Sequence, residues 1–195
     1  MPQIKVEERL YSWQPLTSDN WPDLVKLFGE HGACDGCWCM YFRGVKKDYN
    51  ENKGDGNKHR LEAIVNSGQP TGLIAYDGGE PVGWCAVAPR VDFDALSRSK
   101  YYKAVDDIPT WSLTCFFTAK AYRRKGVSRF LIQKALVYAA ERGAKYLEAY
   151  PIVPKKDKVP DIFAYTGFFK EFVDVGFQEI ANLDGLHPIM RVKLG

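Results

Sequence analysis

Apolar residues recur along this chain with two periods, and the longer one predicts the helices. Between residues 126 and 143 they recur every three or four positions, and Gly143 supplies a C-terminal stop. The same spacing predicts a helix that begins after Ser18 or Asp19, and another over 59–68. Shorter helices are predicted over 94–105 and 167–175. The stripe of the long helix consists of Val127, Phe130, Leu131, Ala135, Tyr138 and Ala139.

Runs of β-branched and aromatic residues predict the strands. The residues Asp77-Gly78-Gly79 separate two apolar runs, which is typical of a hairpin. Alternation over 110–119 predicts a strand with one face formed by Trp111, Leu113, Cys115 and Phe117. A polar, glycine-containing segment over 49–58 is predicted to be a loop. The predicted strands cover 4–15, both arms of the hairpin at 72–90, 110–119, 145–152, 178–183 and 188–194.

The order of these elements predicts an α/β fold with a mixed sheet of six or seven strands. The hairpin arms must be antiparallel, whereas the strands on either side of the long helix must be parallel because a helix connects them. Neither repeats nor a change of composition divides the chain. We therefore expect residues 1–195 to form a single domain.

Composition and charge exclude several classes of function. The formal charge of +3 is too small to favour nucleic acid. The first residues are charged and lack the apolar core of a secretory signal, and no apolar run reaches the length of a membrane helix. Five cysteines, an odd number, favour reduced thiols and a cytoplasmic protein.

The segment over 116–132, FFTAKAYRRKGVSRFLI, points to an anion-binding site. Three cations, Arg123, Arg124 and Lys125, precede Gly126 where the long helix begins. Cations are unfavourable at a helix N-terminus, but the free N–H groups there bind anions. A glycine lets a phosphate approach the backbone closely. The segment has neither a Walker lysine nor a three-glycine dinucleotide motif. A solvated basic turn is the alternative.

This segment resembles the coenzyme A motif of the GNAT acyltransferase superfamily, Arg/Gln-x-x-Gly-x-Gly/Ala. Here Arg123, Gly126 and Ser128 occupy the motif positions. The resemblance covers about residues 70–180 and includes the hairpin, the strand that follows the long helix, and Gly176-Phe177. It implies a single GNAT-type domain whose sheet splays between the strands before and after the motif helix.

The resemblance also implies that acetyl-CoA donates an acetyl group to the amine of a small molecule or a peptide in a ternary complex. Its pyrophosphate would bind the N–H groups of the motif, and its pantetheine arm would pair with the preceding strand. Neither a membrane nor nucleic acid is an expected partner, and both a monomer and a homodimer stay open. The implied cofactor-binding residues are Phe116, Phe117, Thr118, Arg123, Arg124, Lys125, Gly126, Val127 and Ser128.

The groups that move protons are less clear from the sequence. Many members of the superfamily have a tyrosine four residues before the late Gly-Phe pair, but Phe172 stands there in this chain. The candidate catalytic residues are therefore Tyr150, Tyr165 and Cys115, with Glu148 and Asp107 as candidate bases. Each of them also has a structural interpretation. Because Phe172 lacks a hydroxyl, a non-catalytic protein that binds coenzyme A is an alternative function.

The segment HGACDGCWCMYFR, over 31–43, offers three readings. With His31, its three cysteines, Cys34, Cys37 and Cys39, could hold zinc in an interaction module. Structural zinc usually uses two separated pairs of ligands, so we expect no metal. A Cys-x-x-Cys redox pair needs a helix N-terminus to lower the pKa of its thiol, whereas this segment follows the end of a helix. We expect instead either plain core or an acceptor-binding wall, formed by Trp38, Met40 and Tyr41.

Overall fold

The structure, a computed structural model, describes residues 11–154 and 165–195. The strands are β1 (Ser12–Pro15), β2 (Gly72–Asp77), β3 (Glu80–Pro89), β4 (Trp111–Thr118), β5 (Tyr146–Ala149), β6 (Gln178–Asn182) and β7 (Pro188–Lys193). The helices are α1 (Trp21–Phe28), α2 (Lys46–Glu51), α3 (Asp55–Asn66), α4 (Asp94–Arg98), α5 (Val127–Glu141) and α6 (Phe169–Val173). The part of the predicted first strand that precedes residue 11 lies outside the described residues.

These seven strands form one mixed sheet in the order β1-β2-β3-β4-β5-β7-β6. Only β4 and β5 are parallel to each other, and α5 connects them. The other neighbours are antiparallel, as the hairpin signal at β2 and β3 predicts. The predicted α/β fold with a mixed sheet is therefore confirmed, and no helix in the described ranges is long and apolar enough to span a membrane.

Two large apolar clusters cover the two faces of the sheet. On one face α5 packs against Val82 and Val87 of β3. On the other face α1 and α3 pack against Trp84 of β3. A third cluster, around Tyr150 and Phe93, lies where β5 and β7 meet α4. This arrangement leaves the start of α5 at the end of β4, where the candidate site is formed.

A β-bulge in β4 changes which side chains share a face. Cys115 pairs with Ala86 of β3, but Leu113 already pairs with Val87, so the intervening residue of β4 has no partner. An extra residue reverses the alternation of side chains that follow it. Leu113 therefore packs on the α5 side, whereas Cys115 and Phe117 pack on the opposite side. The prediction that these residues share one face is wrong for this reason.

The segment over 49–58 is largely helical rather than a loop, because tertiary contacts stabilise it. It contains the end of α2 and the start of α3. The side chain of Asn57 is fully buried, and its amide donates hydrogen bonds to the carbonyls of Tyr49 (3.2 Å) and Gly36 (3.4 Å). Such long-range contacts override the low helix propensity of the glycine and asparagine residues in this segment.

The predicted N-cap of α1 is also wrong, by one or two residues along the chain. The N-cap is Asn20 rather than Ser18 or Asp19, and its side chain does not cap the helix. Its oxygen instead accepts a hydrogen bond from the N–H of Thr17 (2.8 Å), and its amide donates to the carbonyl of Pro15 (2.9 Å). Asn20 therefore fixes the turn between β1 and α1.

Candidate active site

The start of α5 has the geometry of an anion-binding turn. Gly126 is its N-cap in the left-handed conformation, with φ +82°, and no side chain caps the helix. Uncapped N–H groups at a helix N-terminus attract anions. A Cβ atom built on Gly126 meets nothing within 4 Å, so the space beside the backbone is open. The side chains of Arg123, Arg124 and Lys125 are exposed around this turn.

Three contacts hold this turn in place. The hydroxyl of Tyr11 donates a hydrogen bond to the carbonyl of Lys125 (3.1 Å), and Nε of Arg123 donates to the carbonyl of Thr118 (3.4 Å). The hydroxyl of Ser128 donates to Glu171 of α6 (3.0 Å). The predicted cofactor-binding residues from Arg123 to Ser128 therefore lie together at the end of β4, although Val127 itself is buried in the core.

The strands on either side of α5 separate just before this turn. β4 pairs with β5 only over residues 111–113 and 147–149, but β4 continues to Thr118. Beyond the last pair, the segment over 165–168 lies between the strands. Its Tyr165 carbonyl accepts a hydrogen bond from the N–H of Phe116 in β4, and Phe168 forms a parallel bridge to Ile152. The two strands therefore part beside Phe116, and this segment occupies the opening.

The N–H of Phe116 is occupied within this opening. It donates a hydrogen bond of 2.6 Å to the carbonyl of Tyr165. The family resemblance implies that this edge of β4 pairs with the pantetheine arm of the donor, and in this structure the carbonyl of Tyr165 is the acceptor there. The ring of Phe116 is buried against Phe172, with 6.1 Å between ring centroids.

Phe172 has no hydroxyl, although the family resemblance led us to look for a tyrosine at this position. Its ring is fully buried and contacts Phe177, with 5.2 Å between ring centroids. A Cβ built on Gly167 would lie 2.8 Å from the Phe172 ring, so the backbone packs directly on it. A proton donor in this site must therefore come from another element.

Tyr150 is held in a buried polar network rather than in an open cleft. Its hydroxyl donates to Glu148 (2.9 Å), pairs with Ser112 (2.8 Å) and accepts a hydrogen bond from Arg90. Burial, together with the Glu148 carboxylate, raises the pKa of Tyr150 far above its usual range. All acceptor and donor capacity of the phenol is used, so the network favours a structural role for Tyr150.

Glu148 is the centre of this network and is 2% exposed. Its two oxygens accept hydrogen bonds from Arg90 (2.8 Å) and Arg191 (2.7 Å), and Arg191 also pairs with Asp106 (2.7 Å). Asp106, not the candidate base Asp107, is therefore the member of this loop that joins the network. A charged residue within a buried strand signals that partners exist, but the sequence does not identify Arg90 or Arg191 as those partners.

Tyr165 and Tyr41 form a second, more open pair of phenols. Their ring centroids lie 5.6 Å apart, with the ring planes at 74° to each other. Burial and the neighbouring Tyr41 raise the pKa of Tyr165 far above its usual range, so this phenol keeps its proton. Tyr41 is 46% exposed. The pair therefore connects the opening beside Phe116 with the protein surface.

Of the three residues predicted to form an acceptor wall, two face the core. Trp38 is 4% exposed and packs against Phe28, with 5.7 Å between ring centroids. Met40 is buried as well. A Cβ on Gly32 would lie 2.1 Å from Nε1 of Trp38, so the turn wraps tightly around the indole. Tyr41 alone of the three presents its ring to solvent.

Cys115, the third catalytic candidate, belongs to the cysteine-rich side of the molecule. It is half-buried on β4, on the face opposite to Phe116, and it packs against the same apolar cluster as Cys39. In the described ranges, His, Cys, Asp and Glu side chains form no group of three or more that could hold a metal ion. A metal-free cluster stays a prediction, which metal analysis of the purified protein tests.

An open cleft of about 490 Å³ lies between α1 and α3, and it contains none of the predicted site residues except Trp38. Its walls carry both charge signs, and its geometry offers no group placed for catalysis. The remaining residues that line it are Val25, Lys26, Gly29, Glu30, Asp55 and Lys58.

Comparison with known proteins adds a family and a set of folds. A family model described as the acetyltransferase (GNAT) family matches residues 38–158. No curated protein sequence matches the chain. A PaiA N-acetyltransferase from Thermoplasma acidophilum, solved with coenzyme A, is similar in fold, with 14% identity and a TM-score of 0.53 over 94% of this chain and 99% of that one.

Two further solved structures are similar in fold. A GNAT-family acetyltransferase from Listeria monocytogenes has 11% identity and a TM-score of 0.57, over 94% of this chain and 95% of that chain. The yncA protein of Salmonella typhimurium, solved with its cofactor acetyl-CoA, has 13% identity and a TM-score of 0.52, over 95% of this chain and 94% of that chain. At sequence identities this low, the similarity to these structures shows the fold alone.

Proposed function

Because this chain belongs to the GNAT acetyltransferase family, we propose that it transfers an acetyl group from acetyl-CoA to an amine in a ternary complex. The observation that carries the proposal is the uncapped start of α5, with Gly126 in the left-handed conformation, beside the opening between β4 and β5. Structures of similar fold that contain coenzyme A or acetyl-CoA support the choice of donor. We further propose that the whole chain, 1–195, is one cytoplasmic domain.

The pyrophosphate of the donor binds the N–H groups at the start of α5. Arg123, Arg124 and Lys125 are exposed around that turn and supply positive charge. The pantetheine arm then runs along the edge of β4 over residues 116–118. There a carbonyl of the donor replaces the Tyr165 carbonyl as the partner of the Phe116 N–H. The same N–H stabilises the oxyanion that forms when the amine attacks the thioester.

The reaction follows from this placement. The amine nitrogen bonds to the thioester carbon, the tetrahedral intermediate collapses, and the C–S bond breaks. The thiolate of coenzyme A takes one proton, and the new amide nitrogen loses one to a base or to water. Tyr165 is the candidate acid, because its phenol stays protonated, its backbone carbonyl holds the residue at the opening beside Phe116, and its ring packs against the partly exposed ring of Tyr41.

A non-catalytic protein that binds coenzyme A is the second candidate function. The buried ring of Phe172, which lacks the hydroxyl that many relatives carry, favours it. Calorimetric titration with acetyl-CoA, followed by turnover with a panel of amines, tests both functions. Binding with release of free thiol in the presence of an amine supports the transferase. Binding without turnover on any amine favours the second candidate, and absence of binding contradicts both.

A further inference from the structure

The turn that follows α1 brings Cys34 and Cys37 into the geometry of a disulfide pair. The N–H of Cys37 donates a hydrogen bond to the carbonyl of Cys34 (3.0 Å), which closes a four-residue turn. Turns of this kind place their first and last Cα atoms within about 7 Å. Disulfides span Cα distances of about 4.4–6.8 Å. The two thiols can therefore be joined with a small local adjustment.

The environment of the Cys37 sulfur stabilises a thiolate. Asp35, Trp38 and Cys39 have positive φ values of 52°, 33° and 50°, and such backbone turns direct successive N–H groups toward one point. When protonated, the Cys37 thiol donates a hydrogen bond to the carbonyl of Gly32 (3.5 Å). Interactions with the Cys39 thiol and with backbone N–H groups of the turn favour the thiolate instead. They lower the pKa of Cys37 to about 6. The thiolate is the reactive form of cysteine.

The other groups around Cys37 are thiols, a phenol and one ion pair. Cys39 lies beside it in the core and interacts with Cys37 on one side and with Cys115 on the other. Tyr49 of α2 faces it from the side. On the turn itself Asp35 forms an ion pair with Lys53, so the negative charge beside Cys37 is compensated. Hydrogen bonds, rather than a neighbouring cation, therefore stabilise the thiolate.

Cys34 and Cys37 differ in their accessibility to solvent. Cys34 is exposed, whereas Cys37 is half-buried. A small oxidant can reach Cys37 from the turn, and Cys34 can then approach from the solvent side. Cys39 is buried, and burial raises its pKa well above the usual range, so it is a hydrogen-bond donor rather than a nucleophile.

We propose that Cys34 and Cys37 form a reversible oxidation site, in which Cys37 reacts with a hydroperoxide and Cys34 closes a disulfide. The Cys37 thiolate attacks one oxygen of the hydroperoxide, an S–O bond forms as the O–O bond breaks, and the alkoxide or hydroxide that leaves takes up a proton. The sulfur of Cys34 then attacks the sulfur of Cys37, the S–O bond breaks, and the hydroxide that leaves takes up the proton of the Cys34 thiol to form water. Two thiols are oxidised while one peroxide is reduced. This chemistry is independent of acyl transfer.

Peptide mapping of the full-length protein tests the pairing. After treatment with hydrogen peroxide, free thiols are alkylated and the protein is digested with trypsin, which releases peptide 27–43 with all three cysteines of the turn. We expect this peptide to lose two hydrogen atoms. A protease that cuts before Asp35 separates Cys34 from Cys37. The two fragments should stay linked until a reductant is added.

Other patterns would contradict the proposal. If the fragment with Cys34 is released alkylated, the disulfide joins Cys37 and Cys39 instead. A cross-link between peptides 27–43 and 104–120 would identify Cys115 as the partner. Unmodified thiols after a peroxide treatment that oxidises free glutathione completely would exclude a reactive site in this turn.

Three variants separate the roles of the thiols. In Cys34→Ser the sulfenic acid on Cys37 should persist and be trapped by dimedone, whereas Cys37→Ser should yield no trapped adduct. In Cys39→Ala the rate of Cys37 alkylation at pH 6.5 should fall several-fold, because the thiol hydrogen bond is lost. Cys85→Ala, a change at a fully buried cysteine of β3, is the control and should leave that rate unchanged. Equal rates of Cys37 alkylation in the wild type, Cys39→Ala and Cys85→Ala, or a dimedone adduct in Cys37→Ser, would contradict the role proposed for Cys37.

Discussion

The start of α5 and the turn over 29–40 contain every non-glycine residue with positive φ in the described ranges. Arg124 lies at the start of α5, and the other four, Ala33, Asp35, Trp38 and Cys39, lie in the turn. Strained backbone persists only where surrounding contacts fix it, and it is concentrated at functional sites. The two segments that we associate with binding and with thiol chemistry are therefore also the two strained segments.

The two segments are stabilised in different ways. A glycine with a regular helix behind it specifies the conformation at the start of α5, so a short motif encodes it. The hydrogen bonds made by Tyr11 and Ser128 then attach this turn to distant segments. The turn over 29–40 has no repeating hydrogen-bond pattern and depends on the buried indole of Trp38, around which it is wrapped. Local sequence thus specifies the first segment, and tertiary packing specifies the second.

The largest effect that we expect is loss of acetyl-CoA binding in Gly126→Val. A β-branched residue at φ +82° is strained, and it fills the open space beside the N–H groups. Gly143→Val is a matched control, because Gly143 has φ +81° and open space at the other end of α5. Calorimetry should show no binding in the first variant and normal binding in the second, with circular dichroism to check folding. Normal binding by folded Gly126→Val would contradict the proposed donor site.

A second comparison separates Tyr165, which is partly buried, from Tyr150, which is fully buried. Tyr165→Phe should lower kcat by about 100-fold with little change in the KM for acetyl-CoA, as expected for the loss of a general acid. Because the pKa of Tyr165 is raised, its phenol stays protonated, and kcat of the wild type should not fall between pH 7 and pH 9 through this group.

Tyr150→Phe is the matched change in the polar network. It removes the hydroxyl that Ser112, Glu148 and Arg90 share. The free energy of unfolding should therefore fall by about 1–3 kcal/mol, while kcat changes little. Urea unfolding and steady-state kinetics measure the two effects. A large loss of kcat in folded Tyr150→Phe, together with an active Tyr165→Phe, would contradict our assignment and would indicate that Tyr150 is the general acid.

In the turn, we expect substitutions to separate packing from acceptor binding. Trp38→Ala should destabilise the fold by about 3–5 kcal/mol, because it leaves a cavity against Phe28 and Trp21. Tyr41→Ala removes a largely exposed ring and should instead raise the acceptor KM more than that of acetyl-CoA. Urea unfolding and kinetics with a competent amine test this contrast. Equal changes in both KM values for Tyr41→Ala would argue against its place in the acceptor site.

The sequence predicts the order of the strands and of the helices other than α2, because apolar periodicity is a local property. It also predicts a donor site at the start of α5, since Gly126 and its cations are contiguous, and the Gly126→Val titration tests that prediction. It does not predict the bulge that turns Cys115 away from Leu113, because the bulge exists only in the pairing of β4 with β3. For the same reason it cannot show that Glu148 faces two arginines from distant segments.

The smallest effect that we expect at the start of α5 is that of one cation. Arg123 is exposed, so Arg123→Ala should weaken acetyl-CoA binding by about 1–3 kcal/mol, the range of a charge-assisted contact. Added salt should reduce this difference, because it screens exposed charges, while the loss in Gly126→Val persists. Arg142→Ala removes an exposed cation at the opposite end of α5 and is the control. Titrations at two salt concentrations test the contrast. Equal weakening by Arg123→Ala and Arg142→Ala would reduce the role of Arg123 to general electrostatic attraction.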